Sequence, residues 1–248
     1  MRIVAVIPAR MASTRFPGKP MALIHGIPMI GHCFLRVRMC TDIQETYVAT
    51  CDKEIYDYIE SIGGQAVMTS SRHERASDRA AEAMLELENR SGERIDILVM
   101  VQGDEPMDTP QMIHEALQPM IEDSMINVVN LMGVIESIEE FEDPNCIKVV
   151  CDLKGDALYF SRAPIPTLSK IKDVFIHKQV CIIPFRRDFL IDYTSMEPTQ
   201  LEITESIDML RILENGLKVR MIPTKYNSHA VDTIEDLIRV EKLMKINN

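Results

Sequence analysis

At 248 residues the chain suits one large domain, or a domain with a smaller subdomain, and folding it buries roughly 70–75% of the unfolded surface. Its 38 acidic against 27 basic residues give a formal net charge of −11, which repels phosphate backbones and argues against general DNA or RNA binding. No apolar stretch nears the roughly 20 residues that cross a bilayer, and the opening run over 3–7 is too short for a secretory segment. Six cysteines (Cys33, Cys40, Cys51, Cys146, Cys151 and Cys181) stand without a CxxC pair, so reduced thiols, a cytoplasmic setting and no membrane contact are expected.

In chain order, the apolar run over 3–7 reads as a first strand, followed by a loop rich in Pro, Gly and Arg and an amphipathic helix over 29–38. A strand over 46–49, a helix over 53–62 closed by Gly63-Gly64 and a short strand over 66–68 come next. A helix over 77–88, a strand over 95–101 and a helix over 109–120 continue the rhythm of a mostly parallel sheet, which places the chain in the α/β class. From about residue 127 the pattern is richer in strands (127–132, 147–152, 157–161 and 178–185), as in an antiparallel insertion or subdomain. A helix over 202–214, a strand over 218–223 and a last helix begun by Thr233, with Asp236 three residues on in a capping box, return the chain to its first layer.

The charge is unevenly spread. Residues 1–41 hold six basic residues (Arg2, Arg10, Arg15, Lys19, Arg36 and Arg38) and no Asp or Glu. Such an island is either a solvated face or an anion site, and its place after a strand favours the second. The loop from Pro8 and Ala9 to Pro20 carries Arg10, Arg15 and Lys19 with small Ala12, Ser13 and Gly18, at the edge where open parallel sheets bind ligands. Two guanidinium groups, an ammonium and approachable backbone N–H groups together suit a polyphosphate. The loop is neither a Walker A motif nor a GxGxxG turn, since Lys19 precedes Pro20 and the upstream glycine is missing.

After the strand over 95–101 comes Gln102-Gly103-Asp104-Glu105-Pro106. An acid at a strand end opposite a basic loop is a natural ligand for Mg²⁺, which prefers one or two carboxylates plus phosphate oxygens, so Asp104 is the first metal candidate. Asp232 precedes the last helix, where it can serve either as an N-terminal charge on the helix dipole or as a partner of Asp104.

Taken together these motifs resemble the 3-deoxy-manno-octulosonate cytidylyltransferase family, or CMP-KDO synthetases, and more loosely the acylneuraminate cytidylyltransferases. The resemblance runs nearly end to end, through 8–20, His73 to Arg79, 101–106, Ala157-Leu158-Tyr159-Phe160-Ser161-Arg162, 201–211 and Val231-Asp232-Thr233. It implies a nucleotide-diphospho-sugar transferase (Rossmann-like) fold with a mixed, mostly parallel sheet. It also implies a single domain over 1–248, whose strand-rich part at about 127–200 builds a homodimer. CTP would lie over the first loop, and CMP would pass to the anomeric hydroxyl of an acidic ketosugar with Mg²⁺ present and pyrophosphate released.

Position by position, Arg10, Ser13, Arg15 and Lys19 match the family's triphosphate loop, Arg79 its arginine near the cytosine, and Asp104 with Asp232 its magnesium carboxylates. Gln102, Tyr159, Arg162 and Glu202 or Glu205 match positions near the sugar. Gln179 and Ile183 stand where the family has a sugar-contacting His and Tyr, and Ala76 stands where it has Gly. The implied chemistry is in-line attack on the α-phosphorus with Lys19 and Arg15 neutralising the leaving pyrophosphate, which needs positioning and charge and no protein nucleophile. Two other readings stand beside it: a nucleotidyltransferase of the same fold using another nucleotide or acceptor, and a non-catalytic nucleotide-binding module.

Overall fold

Seven consecutive buried residues make Ile3–Ala9 the first strand, β1, longer by two residues than its apolar run suggests. The computed structural model describes residues 1–12, 15–167 and 176–244. The chain divides into two compact units, Met1–His114 with Ser228–Asn248, and Glu115–Asn227.

In the first unit a 3-10 turn at Lys19–Met21 leads to a hairpin of β2 (Leu23–Ile24) and β3 (Ile27–Pro28), too short to have been legible as a periodic pattern. His25 and Gly26 at its tip both take positive φ, the requirement of a tight hairpin turn matched to strand twist. Helix α1 (Met29–Arg38), β4 (Glu45–Thr50), α2 (Lys53–Ser61), β5 (Ala66–Met68), α3 (Ala76–Ser91) and β6 (Ile97–Val101) follow. All lie where the periodicity placed them, with ends shifted by up to three residues. The strands run parallel in the order β6-β1-β4-β5, with Val4 opposite both Glu45 and Leu98. Every residue of β1 and β6 is buried, as in a sheet covered on both faces. The chain leaves β1 toward β4 and β5 and returns to its other side with β6. That reversal opens a crevice beyond the carboxyl ends of β1 and β6, the position at which open α/β sheets bind ligands.

The unit boundary falls within α4 (Pro110–Glu122). In the second unit β7 (Val129–Val134), α5 (Ile138–Glu142), β8 (Lys148–Cys151), β9 (Ala157–Ser161), β10 (His177–Val180) and β11 (Ile182–Arg186) come first. After them lie α6 (Arg187–Ser195), α7 (Gln200–Glu205), α8 (Met209–Glu214) and β12 (Arg220–Pro223). The sheet order is β12-β7-β10-β8-β9, antiparallel at β7–β10, β10–β8 and β8–β9 and parallel only at β12–β7. This is the strand-rich antiparallel region expected, and the unit holding it extends beyond 127–200 at both ends.

Two expected elements are divided. The strand over 178–185 is two strands, because β10 pairs with β7 and β8 whereas Phe185 of β11 bridges Val128. The helix over 202–214 breaks at Ser206, which sits in the left-handed region at φ 54°. The break has a cause. In a continuous helix Glu202 and Arg211 would stand about 13 Å apart along the axis. The turn instead brings Arg211 Nε and Nη2 to donate to the two oxygens of Glu202 at 2.7 and 2.6 Å, with the guanidinium 5.0 Å from the Tyr193 ring centroid. The last helix, α9 (Ile234–Leu243), begins at the Thr233 cap with the Asp236 capping box as read from the sequence.

Candidate functional site

Within the first unit a cavity of about 360 Å³ lies at the crevice, lined by Pro8, Ala9, Arg10, Arg15 and Lys19 from β1 and its loop, by His73, Arg75 and Arg79 before and within α3, and by Gln102, Asp104 and Asp232. Candidate site residues scattered over more than 220 positions thus line one cavity. Ser13, placed in the phosphate loop by its sequence, lies outside the described residues.

Lys19 is the hinge of the arrangement. Its Nζ donates to Asp104 Oδ2 at 2.7 Å and to Asp232 Oδ1 at 3.2 Å, and its side chain is only 12% exposed. Burial alone would lower the Lys19 pKa, but the two carboxylates outweigh it and hold the ammonium above the ordinary lysine value. Arg15 Nη2 adds a bond to Asp232 Oδ1 at 2.9 Å. The helix-capping role open to Asp232 is taken by its neighbours: Thr233 accepts from Asp236 N–H, and Asp236 accepts from the N–H groups of Asp232 and Thr233. The Asp232 carboxylate therefore turns to the cations. Two carboxylates meeting one ammonium are a donor set that fits Mg²⁺ completed by substrate phosphate oxygens. Among the described residues no group of three His, Cys, Asp or Glu converges as a self-sufficient metal cage.

Backbone contacts set this geometry. Val231 N–H donates to Asp104 O at 2.9 Å, stitching the two acidic segments together. A Cβ on Gly103 would come within 2.9 Å of Pro8 O, so only glycine lets the loop after β6 approach the end of β1 so closely. A second stitch was not legible beforehand: Ser228 Oγ donates to Asp108 Oδ1 at 2.7 Å, while Asp108 Oδ2 is buried without a partner.

Burial, followed by the charge of Glu105, pushes the Asp108 carboxyl well above its usual range, against a smaller opposing effect of Ser228. A carboxyl whose folded pKa is raised contributes stability that is fully present below the unfolded pKa of about 3.9 and lost as pH rises through the folded pKa. Asp108→Asn keeps the acceptor for Ser228 and removes the titration. It is expected to stabilise the protein relative to wild type at pH 7. In urea unfolding its advantage over wild type should grow from pH 5 to pH 8; a constant difference would mean that Asp108 is ionised throughout.

Arg79 is 3% exposed, and its Nη1 donates to Thr69 Oγ1 at 2.5 Å and to Ser70 O at 3.2 Å. Its Nη2 is buried with no hydrogen-bond partner in the protein, which leaves a costly orphan donor at the cavity wall. Arg10 is exposed and reaches His73 O at 3.5 Å.

In the second unit Glu205 gathers the residues matched to the sugar. Its carboxylate accepts from Ser161 Oγ at 2.9 Å, Arg162 N–H at 2.8 Å and Tyr159 OH at 3.4 Å, and Arg162 Nε donates to Glu205 O. Lys148, fully buried, donates to the carbonyls of Asp143, Cys146 and Arg162 at 2.7–2.8 Å and fixes the chain on either side of that cluster. Glu202, matched to the same region, is 0% exposed and held bidentately by Arg211, so its carboxylate is engaged in a buried ion pair. Gln179 donates to Asn130 Oδ1 at 2.6 Å, and Ile183 is buried at 3% exposure.

Comparison with known proteins agrees with this geometry. The cytidylyltransferase family model matches residues 4–221. The 3-deoxy-manno-octulosonate cytidylyltransferase of Geobacter metallireducens is 42% identical, with 99% of each chain covered, and that of Geotalea uraniireducens is 42% identical over 99% of this chain and all of its own. The solved structure of CMP:2-keto-3-deoxy-manno-octonic acid synthetase complexed with CTP superposes with a TM-score of 0.90 at 37% identity, covering 98% of both chains. The crevice at β1 and β6, its cations and its paired carboxylates thus sit in a chain that belongs to the cytidylyltransferase family, in the group of the 3-deoxy-manno-octulosonate cytidylyltransferases.

Proposed function

We propose that this protein transfers CMP from CTP to the anomeric hydroxyl of 3-deoxy-manno-octulosonate, or a close relative of it, and releases pyrophosphate. The observation that carries this reading is the convergence of Lys19, Asp104 and Asp232 in a cavity whose wall offers the unpaired Arg79 Nη2. An unpartnered buried guanidinium N–H is complementary to the acceptor edge of a cytosine, which carries a ring nitrogen and a carbonyl oxygen. Arg10 and Arg15, both exposed at the mouth of the cavity, provide charge for the phosphates. Lys19 supplies a positive charge fixed in place before the reaction, where it neutralises charge that develops on the leaving pyrophosphate. Asp104 and Asp232 would hold Mg²⁺, which when bound polarises a phosphoryl oxygen and orients the attacking hydroxyl. Because attack and departure lie in line on phosphorus, the protein contributes orientation and charge and needs no covalent intermediate.

Tyr159, Arg162 and Glu205 are the acceptor-binding candidates of the second unit, and Gln102 is the candidate of the first. The amide of Gln179 and the buried alkyl group of Ile183 give a different set of polar contacts from an imidazole and a phenol, which favours a relative of octulosonate as strongly as octulosonate itself. A homodimer through the second unit and a cytoplasmic location complete the reading. They are supported by Leu158 and Ile203, exposed at 61% and 62%, and by six cysteines that are all free thiols. No helix among the described residues is long and apolar enough to cross a membrane.

The test is pyrophosphate release with CTP and Mg²⁺ against octulosonate, its amino-substituted relatives and nonulosonic acids. Release with one acceptor, abolished by EDTA and absent with UTP, is the expected result. CTP binding without release for any acidic sugar would overturn the catalytic reading.

A further inference from the structure

The cavity wall formed by His73 belongs to the segment between β5 and α3, and that segment is gripped by a residue that does not line the cavity. Glu82, on α3, uses one carboxylate oxygen twice: Oε2 accepts from Ser70 N–H at 2.9 Å and from His73 Nε2. Arg79, three residues earlier on the same helical face, donates to the carbonyl of the same residue, Ser70, at 3.2 Å. The Ser70 backbone is therefore held at both its N–H and its C=O by side chains of α3, and His73 is held by its ring.

Burial tends to raise the Glu82 pKa, but the Ser70 N–H and His73 outweigh it and keep the carboxyl below its usual range, so the acceptor is ionised at neutral pH. A carboxylate facing Nε2 makes that nitrogen the donor. Arg10 meets the same segment through His73 O. The wall thus has one ring orientation and an anchored backbone before any ligand arrives.

We infer that Glu82 is a positioning residue for the nucleotide: it pre-organises the Ser70 to His73 segment, which carries the His73 side of the cavity wall, and is needed for CTP affinity, although it makes no contact with the cavity. This rests on the functional reading above for the identity of the ligand. Glu82 has a side chain 40% exposed, so its replacement leaves no cavity in the core. Glu82→Gln keeps an oxygen that can accept both bonds; Glu82→Ala keeps neither.

The experiment pairs amide hydrogen exchange of the ligand-free proteins with calorimetric CTP binding. Expected for Glu82→Ala are faster exchange confined to the 69–75 segment, a CTP Kd raised about tenfold, and an unchanged Tm; Glu82→Gln should stay within about threefold of wild type in Kd. Unchanged exchange in Glu82→Ala, or faster exchange with an unchanged Kd, would overturn the inference. So would a Kd that rises only in proportion to a general loss of Tm and of protection elsewhere. Should wild type bind no CTP, the functional reading fails and the inference about its nucleotide fails with it, while the exchange result still decides whether Glu82 holds the wall.

Discussion

Lys19→Ala is expected to lower kcat by about 10²- to 10³-fold while changing the KM for CTP much less. The ammonium is placed between Asp104 and Asp232, with its pKa held up by both, so its charge is fixed in position before substrate binds. Arg10 and Arg15 still supply charge for ground-state binding when it is removed. What is lost is stabilisation that grows as pyrophosphate departs, and a loss of that kind appears in kcat. Lys19→Arg should not restore the rate, because a planar guanidinium cannot place a compact charge at the point where Nζ meets both carboxylates. Single-turnover kinetics with saturating CTP check this directly: an Ala variant within threefold of wild type would show that Lys19 holds the acids apart and contributes nothing to the chemical step.

The largest expected effect on stability lies in the second unit. Arg211→Ala is expected to cost about 3–5 kcal/mol, because it leaves the fully buried Glu202 carboxylate without its bidentate partner. The change also removes the guanidinium from the Tyr193 ring and its 3.2 Å bond to Met196 O. A fall in Tm on the order of 10 °C follows. Replacing both members with apolar residues of similar volume should cost clearly less, since neither charge is then stranded. A double-mutant cycle in thermal or chemical unfolding separates these outcomes, and a double change that costs as much as the two single changes added together would show that the pair is not coupled.

Glu202 also illustrates where a motif match and a fold part company. Its position agrees with a pattern associated with sugar binding, and its neighbour Glu205 does sit with Tyr159, Ser161 and Arg162. The two acids lie on the same short helix, yet the break at Ser206 swings Arg211 onto one of them. Nothing in the local apolar pattern marks that break. Periodicity continues across it, and the energetic reason is a buried ion pair between residues nine apart.

Other features were legible because their causes are local. The apolar runs of β1 and β6 come from burial on both faces of a parallel sheet, and the Thr233–Asp236 capping box from satisfying helix N–H groups within four residues. The basic loop after β1 and the acid after β6 could be named as phosphate and metal candidates because such loops flank the ligand edge of an open sheet. Glu82 left only a faint trace, an acid three residues after Arg79 on one helix face. Asp108 left none, since its partner Ser228 is 120 positions away.

By itself, then, the sequence determined the α/β class, the order of the main strands and helices, and the chemical character of the loop from Pro8 to Pro20 and of Asp104, since these depend on neighbours in the chain or on strand and helix period. Only the tertiary structure decided that Asp232 faces Lys19 instead of capping its helix, that Glu202 is sealed against Arg211, and that the Ser70 to His73 segment is held by Glu82. The physical reason is the range of the forces involved. Lys19 and Asp232 are 213 residues apart, and a bond at that separation exists only once β1, β6 and the returning C-terminal segment have been packed against one another.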